Sequence, residues 1–300
     1  MHRKYKFSHF SLDDKIFYII VYGVLTLFFI LVLYPCIFTV SSSVSSGPAV
    51  QNGQVILWPV DFTLDGYKTV LATPDVWLGY RNTIFYTVVG TIIQLIYTIT
   101  CGYVMSRKDW VGRDAVMLFF GITMFVSSGL IPRYIMYSDL GLVNNILVQL
   151  FPGAMSIWNM IIARTFIQNS IPKELLEATQ MDGGSDIKYY LNIVIPLSKP
   201  VIAVLTLYYG VGHWNDYFGA MIYLHNPALY PLQIYLKDIL NASQIDPGTV
   251  SDPDLLAQLQ AFVATIKYAL IMVAMIPILC VYPFIQKYFV QGVMIGSIKG

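Results

Sequence analysis

Long apolar runs separated by short charged intervals dominate this sequence. Six of them are long enough to cross a bilayer as helices, because a hydrocarbon core of about 30 Å needs roughly 20 helical residues. Charged residues make up 12% of the 300 residues, against about 25% in soluble globular domains. The sequence therefore predicts an all-α integral membrane protein. The six predicted spans are Ile16–Val40, Asn82–Met105, Asp114–Met136, Asn144–Gln168, Pro200–Tyr223 and Ala261–Gln286.

The placement of lysine and arginine predicts the orientation of these spans. One side would hold both termini and 13 of the 18 basic residues, namely Arg3, Lys4, Lys6, Lys15, Arg107, Lys108, Arg113, Arg164, Lys173, Lys188, Lys199, Lys287 and Lys299. The other side would hold Lys68, Arg81, Arg133, Lys237 and Lys267. Because cytoplasmic loops carry the excess of basic residues, both termini are predicted to be cytoplasmic.

This orientation divides the chain into segments. Residues 1–15 form a cytoplasmic N-terminal stretch, 16–286 the six-span domain and 287–300 a cytoplasmic tail. External loops are expected at about 41–81 and 224–260, and a cytoplasmic loop at about 169–199. The net charge of +1 offers no basic field for nucleic acid. The cysteines Cys36, Cys101 and Cys280 lie inside apolar runs without C-x-x-C spacing, and we expect them to be small packing residues.

The cytoplasmic loop has the pattern of two short helices joined by a sharp turn. Its sequence is "SIPKELLEATQMDGGSDIKYYLNIVIPLSKP". Ser170 is positioned to cap the first helix, and the glycines after Asp182 are suited to end it in a left-handed turn. Ser185 is positioned to cap a second helix, which Pro196 is expected to break. The first helix has small residues at its centre and acids at its rim, which suits insertion into a groove on another protein.

The same loop resembles the EAA signature of bacterial ABC importer permeases, E-A-A-x-x-D-G-A followed by I-x-L-P and a further proline. The matching positions are Glu177, Ala178, Thr179, Asp182, Gly183, Gly184, Ile193, Ile195, Pro196 and Pro200. Thr179 and Gly184 stand where the signature has alanine, and Ile195 where it has leucine. The stretches "LWPVDFTLDGYKTVL", "GLIPRYIMYSDLGLVNN", "ARTFIQNSIPKELLEA" and "GHWNDYFGAM" are similar to the carbohydrate-importer branch, most of all to permeases for oligosaccharide or polysaccharide uptake.

This resemblance implies a type I ABC importer permease fold in the bacterial plasma membrane. It also implies four kinds of partner: a second homologous permease, two cytoplasmic ATPase subunits, an extracytoplasmic solute-binding protein and a carbohydrate substrate. The EAA helix would be the coupling helix that docks on the ATPase. The residues expected to serve this coupling are Glu174, Glu177, Ala178, Thr179, Asp182, Gly183, Gly184 and Pro196.

Two absences from the sequence agree with that implication. The chain has no G-x-x-x-x-G-K-[ST] loop to cradle nucleotide phosphates, so ATP and magnesium would bind a partner ATPase, and no cofactor or catalytic residue is expected here. Most spans also lack a central ionisable residue of the kind that an ion-coupled carrier uses as its relay.

Sugar recognition uses aromatic faces and amide or carboxylate hydrogen bonds. The candidates for the substrate pathway are Tyr134, Asn159, Tyr209, His213, Trp214, Asn215, Asp216 and Tyr217. An interfacial aromatic belt, contact with the partner permease and helix–helix hydrogen bonds are alternative roles for them. His213 has no second histidine or cysteine at metal-ligand spacing, so no metal site is predicted.

Two other protein classes compete with the importer. A membrane-embedded glycosyl or acyl transferase could use Asp216 with His213 as a general base, but it leaves the EAA loop without a role. A stand-alone carrier or channel would need coupling residues within the spans and no ATPase. Copurification of an ATPase would distinguish the importer from both.

Overall fold

The computed structural model describes residues 11–126, 128–151, 153–242 and 253–297. Within these ranges the chain is almost entirely helical, with an isolated bridge between Ser45 and Phe62. The helices are α1 Leu12–Ser43, α2 Gly47–Gln51, α3 Asp65–Ala72, α4 Pro74–Ser106, α5 Arg113–Phe125, α6 Leu130–Asp139, α7 Leu147–Leu150, α8 Ile157–Ser170, α9 Glu174–Met181, α10 Asp186–Tyr189, α11 Ile195–Leu197, α12 Lys199–Trp214, α13 Phe218–Tyr223, α14 Leu232–Ala242 and α15 Pro253–Ser297. A π-helical turn covers Tyr190–Val194 and a 3₁₀ turn covers Pro227–Leu229.

The described residues form two compact units. The first comprises those up to Ala72 together with those from Ile239 to Val273, and the second comprises those from Thr73 to Asp238 and from Ala274 onward. All the candidate functional residues lie in the second unit.

Most of the α1 helix is not covered by any other described part of the chain. It spans 32 residues, starts four residues before the predicted span, and exposes nearly all its large apolar side chains. Such a surface is stable only against lipid or a protein partner. Cys36 and Cys280 are also exposed, so the expected packing role is wrong for these two thiols within the chain.

The structure supports three to five of the six predicted spans. Three helices, starting at Leu12, Pro74 and Asp254, are long and apolar enough to cross a membrane. Two bent pairs could each form a further span: α5 with α6, bent by 116°, and α10–α11 with α12, bent by 75°. The fourth predicted span is instead interrupted between Leu150 and Ile157, where Gly153 has a φ of +75°. The count of six stays a prediction.

The two predicted external loops contain helices. α2, α3 and the start of α4 occupy 41–81, and α14 with the 3₁₀ turn and the start of α15 occupy 224–260. The second loop is fixed to α4, because Asn82 donates to the carbonyls of Ala228 (2.9 Å) and Tyr230 (3.0 Å). The Thr83 hydroxyl accepts from the Leu232 amide at 2.8 Å. This part of the loop is therefore folded structure.

Helices α4, α8 and α12 form the core of the second unit. The buried side chains of Ile99, Ala163, Leu205 and Tyr209 meet there. Small residues let the backbones approach closely. A Cβ at Gly102 would lie 2.9 Å from the Ala163 Cβ and 3.2 Å from the Arg164 amide nitrogen.

We expect Gly102→Val to lower the thermal unfolding midpoint of the protein in detergent. The added side chain would force α4 and α8 apart, at a cost of about 1–3 kcal/mol. Gly121→Val in α5 is the matched control, because a Cβ at Gly121 meets nothing within 4 Å. Equal midpoints for the two variants would contradict close packing of α4 on α8.

Candidate functional site

The EAA segment folds as two short helices, as predicted, but the first begins later. α9 starts at Glu174 with Lys173 as its N-cap, and no side chain caps it. Ser170 is the last residue of α8, so its predicted capping role is wrong. The turn over Pro172 supplies the backbone acceptor instead, since the Leu175 amide donates to the Pro172 carbonyl at 3.4 Å.

The glycine turn after α9 ends the helix in a left-handed conformation, as predicted. Gly183 has a φ of +69°, a conformation that costs glycine little and other residues more. The Asp182 and Gly184 amides donate to the carbonyls of Ala178 (3.0 Å) and Thr179 (2.8 Å), which closes the end of the helix. The Ser185 hydroxyl accepts from the Lys188 amide at 3.3 Å and caps α10 as predicted.

The two departures from alanine in the EAA signature meet at one contact. A Cβ at Gly184 would lie 2.6 Å from the Thr179 Cγ2 and 2.9 Å from the Thr179 carbonyl oxygen. The Thr179 hydroxyl donates to the Leu175 carbonyl at 2.7 Å, which holds the side chain in this orientation. The methyl group of Thr179 thus fills the space that an alanine at position 184 would need.

We expect Gly184→Ala to be destabilising alone and less so in the presence of Thr179→Ala. The second change removes the methyl group that the new Cβ would strike, so the coupling energy should be about 0.5–3 kcal/mol. The measurement is the unfolding midpoint of the wild type, both single variants and the double variant. A double variant no more stable than Gly184→Ala would show that the two positions do not compensate.

Pro196 does not break the second helix, contrary to the prediction. The preceding turn is π-helical, and the Ile195 amide donates to the Tyr190 carbonyl, five residues back. This wider turn accommodates a proline, which lacks an N–H and crowds the carbonyl four residues before it. The helix ends at Leu197, and the 75° bend into α12 follows at Ser198.

One face of α9 is not covered by the described part of its own chain. Leu175 and Leu176 pack against a cluster of buried residues that includes Tyr103 and Tyr189. The exposed residues at i, i+3, i+4 and i+7 are Glu174, Glu177, Ala178 and Met181. Met181 is 88% exposed and was not among the sequence-predicted residues, although this spacing could have found it.

A polar cavity of about 540 Å³ lies beside α9. Its walls include Leu176, Glu177 and Gln180 from α9 and Arg107 and Lys108 from the loop after α4. The EAA glutamate therefore borders both the free face and this cavity.

Two substrate-pathway candidates on α12, Tyr209 and His213, form hydrogen bonds to other residues of the second unit. The Tyr209 hydroxyl bonds the Thr98 hydroxyl (2.6 Å) and accepts from the Ser156 amide (3.2 Å). His213 Nε2 bonds Gln94 Oε1 at 3.0 Å, and Gln94 Nε2 donates to the Gly153 carbonyl at 3.0 Å. These bonds join α4, α12 and the break before α8, which favours the helix–helix role for both residues.

Trp214, Tyr134 and Asn159 also face protein. Trp214 is 6% exposed and its indole N–H donates to the Ala274 carbonyl at 3.1 Å. Tyr134 stacks on Tyr223 with ring centroids 6.0 Å apart, and Asn159 is buried in α8.

The remaining candidates lie where α12 ends. Asn215 is exposed and donates to the Val211 carbonyl at 2.9 Å. Tyr217 is exposed, with the Lys237 Nζ 5.7 Å from its ring centroid. Asp216 accepts from the Gly219 amide at 3.1 Å, whereas His213 bonds Gln94. The pair on which the transferase hypothesis relied is therefore engaged with other groups.

Tyr208 lies on the exposed face of α12 and was not among the candidates predicted from the sequence. Tyr208, Val211, Gly212 and Asn215 follow helical spacing and are all exposed. Tyr208 is 48% exposed, whereas the neighbouring Tyr209 is buried. Helical spacing counted from Asn215 would have separated these two tyrosines.

We expect Trp214→Ala to lower the stability of the purified chain by about 3–5 kcal/mol, because it leaves a cavity at a buried position. Asn215→Ala, one residue further on and exposed, is the control and should change the unfolding midpoint little. An unchanged midpoint for Trp214→Ala would return that residue to the group of substrate candidates.

The sequence matches the family described as "Binding-protein-dependent transport system inner membrane component" over residues 10–295. The chain belongs to this family, whose members are transport permeases rather than enzymes. This membership confirms the resemblance based on the EAA signature.

Relatives and one solved structure agree over nearly the full length. The chain is 35% identical over 296 residues to the polygalacturonan/rhamnogalacturonan transport system permease protein YtcP of Bacillus subtilis, covering 96% of this chain and 100% of that protein. It is 37% identical over 268 residues to protein LplC of the same organism, covering 89% and 90%. A chain of a bacterial ABC transporter involved in the import of the acidic polysaccharide alginate superposes with a TM-score of 0.84 at 36% identity, covering 93% of this chain and 99% of that one.

Proposed function

We propose that this chain is a permease subunit of an ABC importer for a carbohydrate, and that it couples to a cytoplasmic ATPase through α9. The observation that carries this proposal is the free face of α9, which presents Glu177 and Ala178 of the EAA signature outward. Family membership and the names of the relatives support it.

The assembly would follow from that role. A second homologous permease would complete the pathway, two ATPase subunits would bind ATP and magnesium below it, and a solute-binding protein would deliver the sugar from outside. The chain would cross the bacterial plasma membrane six times with both termini in the cytoplasm. The exposed apolar surface of α1 supports a membrane location.

The substrate would be an oligosaccharide or polysaccharide fragment. Relatives named for polygalacturonan and alginate transport support an acidic one as the first to test. Tyr208, Asn215 and Tyr217 would contact it or line its path, because polar groups in a span rarely face lipid. The buried Tyr209 and Trp214 and the partly buried His213 would hold the helices in place.

The experiment that tests the proposal is purification of the chain from its native membrane in mild detergent. Mass spectrometry would identify the copurified subunits, and ATP hydrolysis would be measured with the binding protein and a panel of neutral and acidic oligosaccharides. A second permease, an ATPase and stimulated hydrolysis are expected. A lone polypeptide without ATPase would refute the proposal.

We expect Glu177→Lys to reduce sugar uptake and stimulated ATP hydrolysis by more than about tenfold. The change reverses charge on the free face of α9 and leaves every span intact. Gly183→Pro should act similarly, because proline cannot adopt the φ of +69° found there. Asp13→Lys, an exposed charge reversal at the start of α1, should leave both activities near wild type. Normal uptake by Glu177→Lys would contradict the coupling role.

A further inference from the structure

Arg107 connects the cytoplasmic end of α4 to the coupling segment, which comprises α9, the glycine turn and α10. It directly follows α4, and its Nη1 donates to Asp186 Oδ1 at 2.9 Å and to the Tyr103 hydroxyl at 3.0 Å. Asp186 is the first residue of α10, two residues after the glycine turn that ends α9. The contact therefore bridges 79 residues of sequence at the point where the chain leaves α9.

The Arg107 guanidinium is held in a fixed orientation. Its Nε and Nη2 both donate to the Asp109 carboxylate, with the Nε bond at 2.8 Å. Planar, two-point pairing of this kind fixes the direction of the remaining nitrogen, which lysine cannot reproduce. The hydrogen bonds that Asp109 accepts from Arg107 hold the pKa of Asp109 at about 2, and donating to the Asp109 and Asp186 carboxylates raises the pKa of Arg107.

Arg107 lies against a packed aromatic cluster. The Arg107 side chain is 15% exposed, although Asp186 is 63% exposed. Tyr103 beneath it packs against Tyr190 with ring centroids 5.0 Å apart, and Leu175 and Leu176 of α9 join the same cluster.

The end of α4 is also anchored from the other side. Arg164 and Gln168 of α8 donate to the carbonyls of Met105 (3.1 Å) and Ser106 (3.2 Å), and Arg113 donates to the Arg107 carbonyl at 3.4 Å. These donors pair carbonyls that the end of a helix leaves without intrahelical partners. A force on Arg107 would consequently act on α4 and α8 together.

We propose that Arg107 is a positioning residue that transmits displacement of α9 to α4 by holding Asp186 at the start of α10. This inference rests on the proposed function, because it assigns a route by which docking of the ATPase reaches the pathway. Because the Asp186 partner is 63% exposed, we expect the ion pair to add little to folding stability and its effect to appear in coupling.

The test compares the copurified complex carrying Asp186→Asn, Arg107→Lys or both with the wild type. Binding-protein-stimulated hydrolysis would be measured with oligosaccharides released from polygalacturonan, or with whichever sugar stimulates the wild type, together with sugar transported per ATP hydrolysed. Each single variant should lower stimulation at least about fivefold without changing the subunit ratio. The double variant should be no worse than the more defective single variant, because both changes remove the same link.

Asp65→Asn is the matched control. Asp65 is an exposed carboxylate that pairs with Lys68 at 2.9 Å and lies in the first unit, outside the coupling segment. Its removal should leave stimulation at the wild-type level. If Asp186→Asn and Arg107→Lys behave like Asp65→Asn while the wild type is stimulated, the inference is overturned and the proposed function stands. A wild-type complex without stimulated hydrolysis would overturn both.

Discussion

Hydrocarbon cannot form hydrogen bonds with the peptide backbone, and the arrangement of the second unit depends on this constraint. Wherever a helix in a predicted span is interrupted, the freed N–H and C=O groups need partners from the protein. Between α7 and α8, Gln94 pairs the Gly153 carbonyl and Tyr209 pairs the Ser156 amide. His213 holds Gln94 in place from α12. The polar residues of the core therefore pair the backbone at a break, which explains why they are unsuited to sugar contact.

Close packing also joins α4 and α8 next to the coupling segment. Gly102 lets α8 approach α4, and side chains of α8 bind the last carbonyls of α4. α9 packs Leu175 and Leu176 against α4 and α8, and the opposite face of α9 is free. Docking at the free face would therefore act on helices that move together, and the π-helical turn and the bend at Ser198 lead on to α12.

The composition and the EAA spacing determined the class of protein. Apolar runs with few charges permit only a membrane protein, and the match of Glu177, Asp182 and Gly183 to the signature is sufficient to indicate the family. The glycine turn and the Ser185 cap were predictable because they depend on local backbone chemistry. The number of spans was less predictable, since hydropathy does not show where a run bends or is interrupted.

Tertiary structure alone decided which polar residues face inward. Tyr208 and Tyr209 are adjacent and chemically identical, and helical geometry places them about 100° apart. Packing of α12 on α4 decides which of the two is buried: Tyr209 bonds Thr98, whereas Tyr208 is exposed. Pro196 lies within a helix because a π turn, set by the surrounding packing, makes room for it. Arg107 and Asp186 are distant in sequence, and their pairing depends on how α4 and α10 are brought together in space. Sequence determined the class and the local turns; long-range packing determined the contacts by which the site acts.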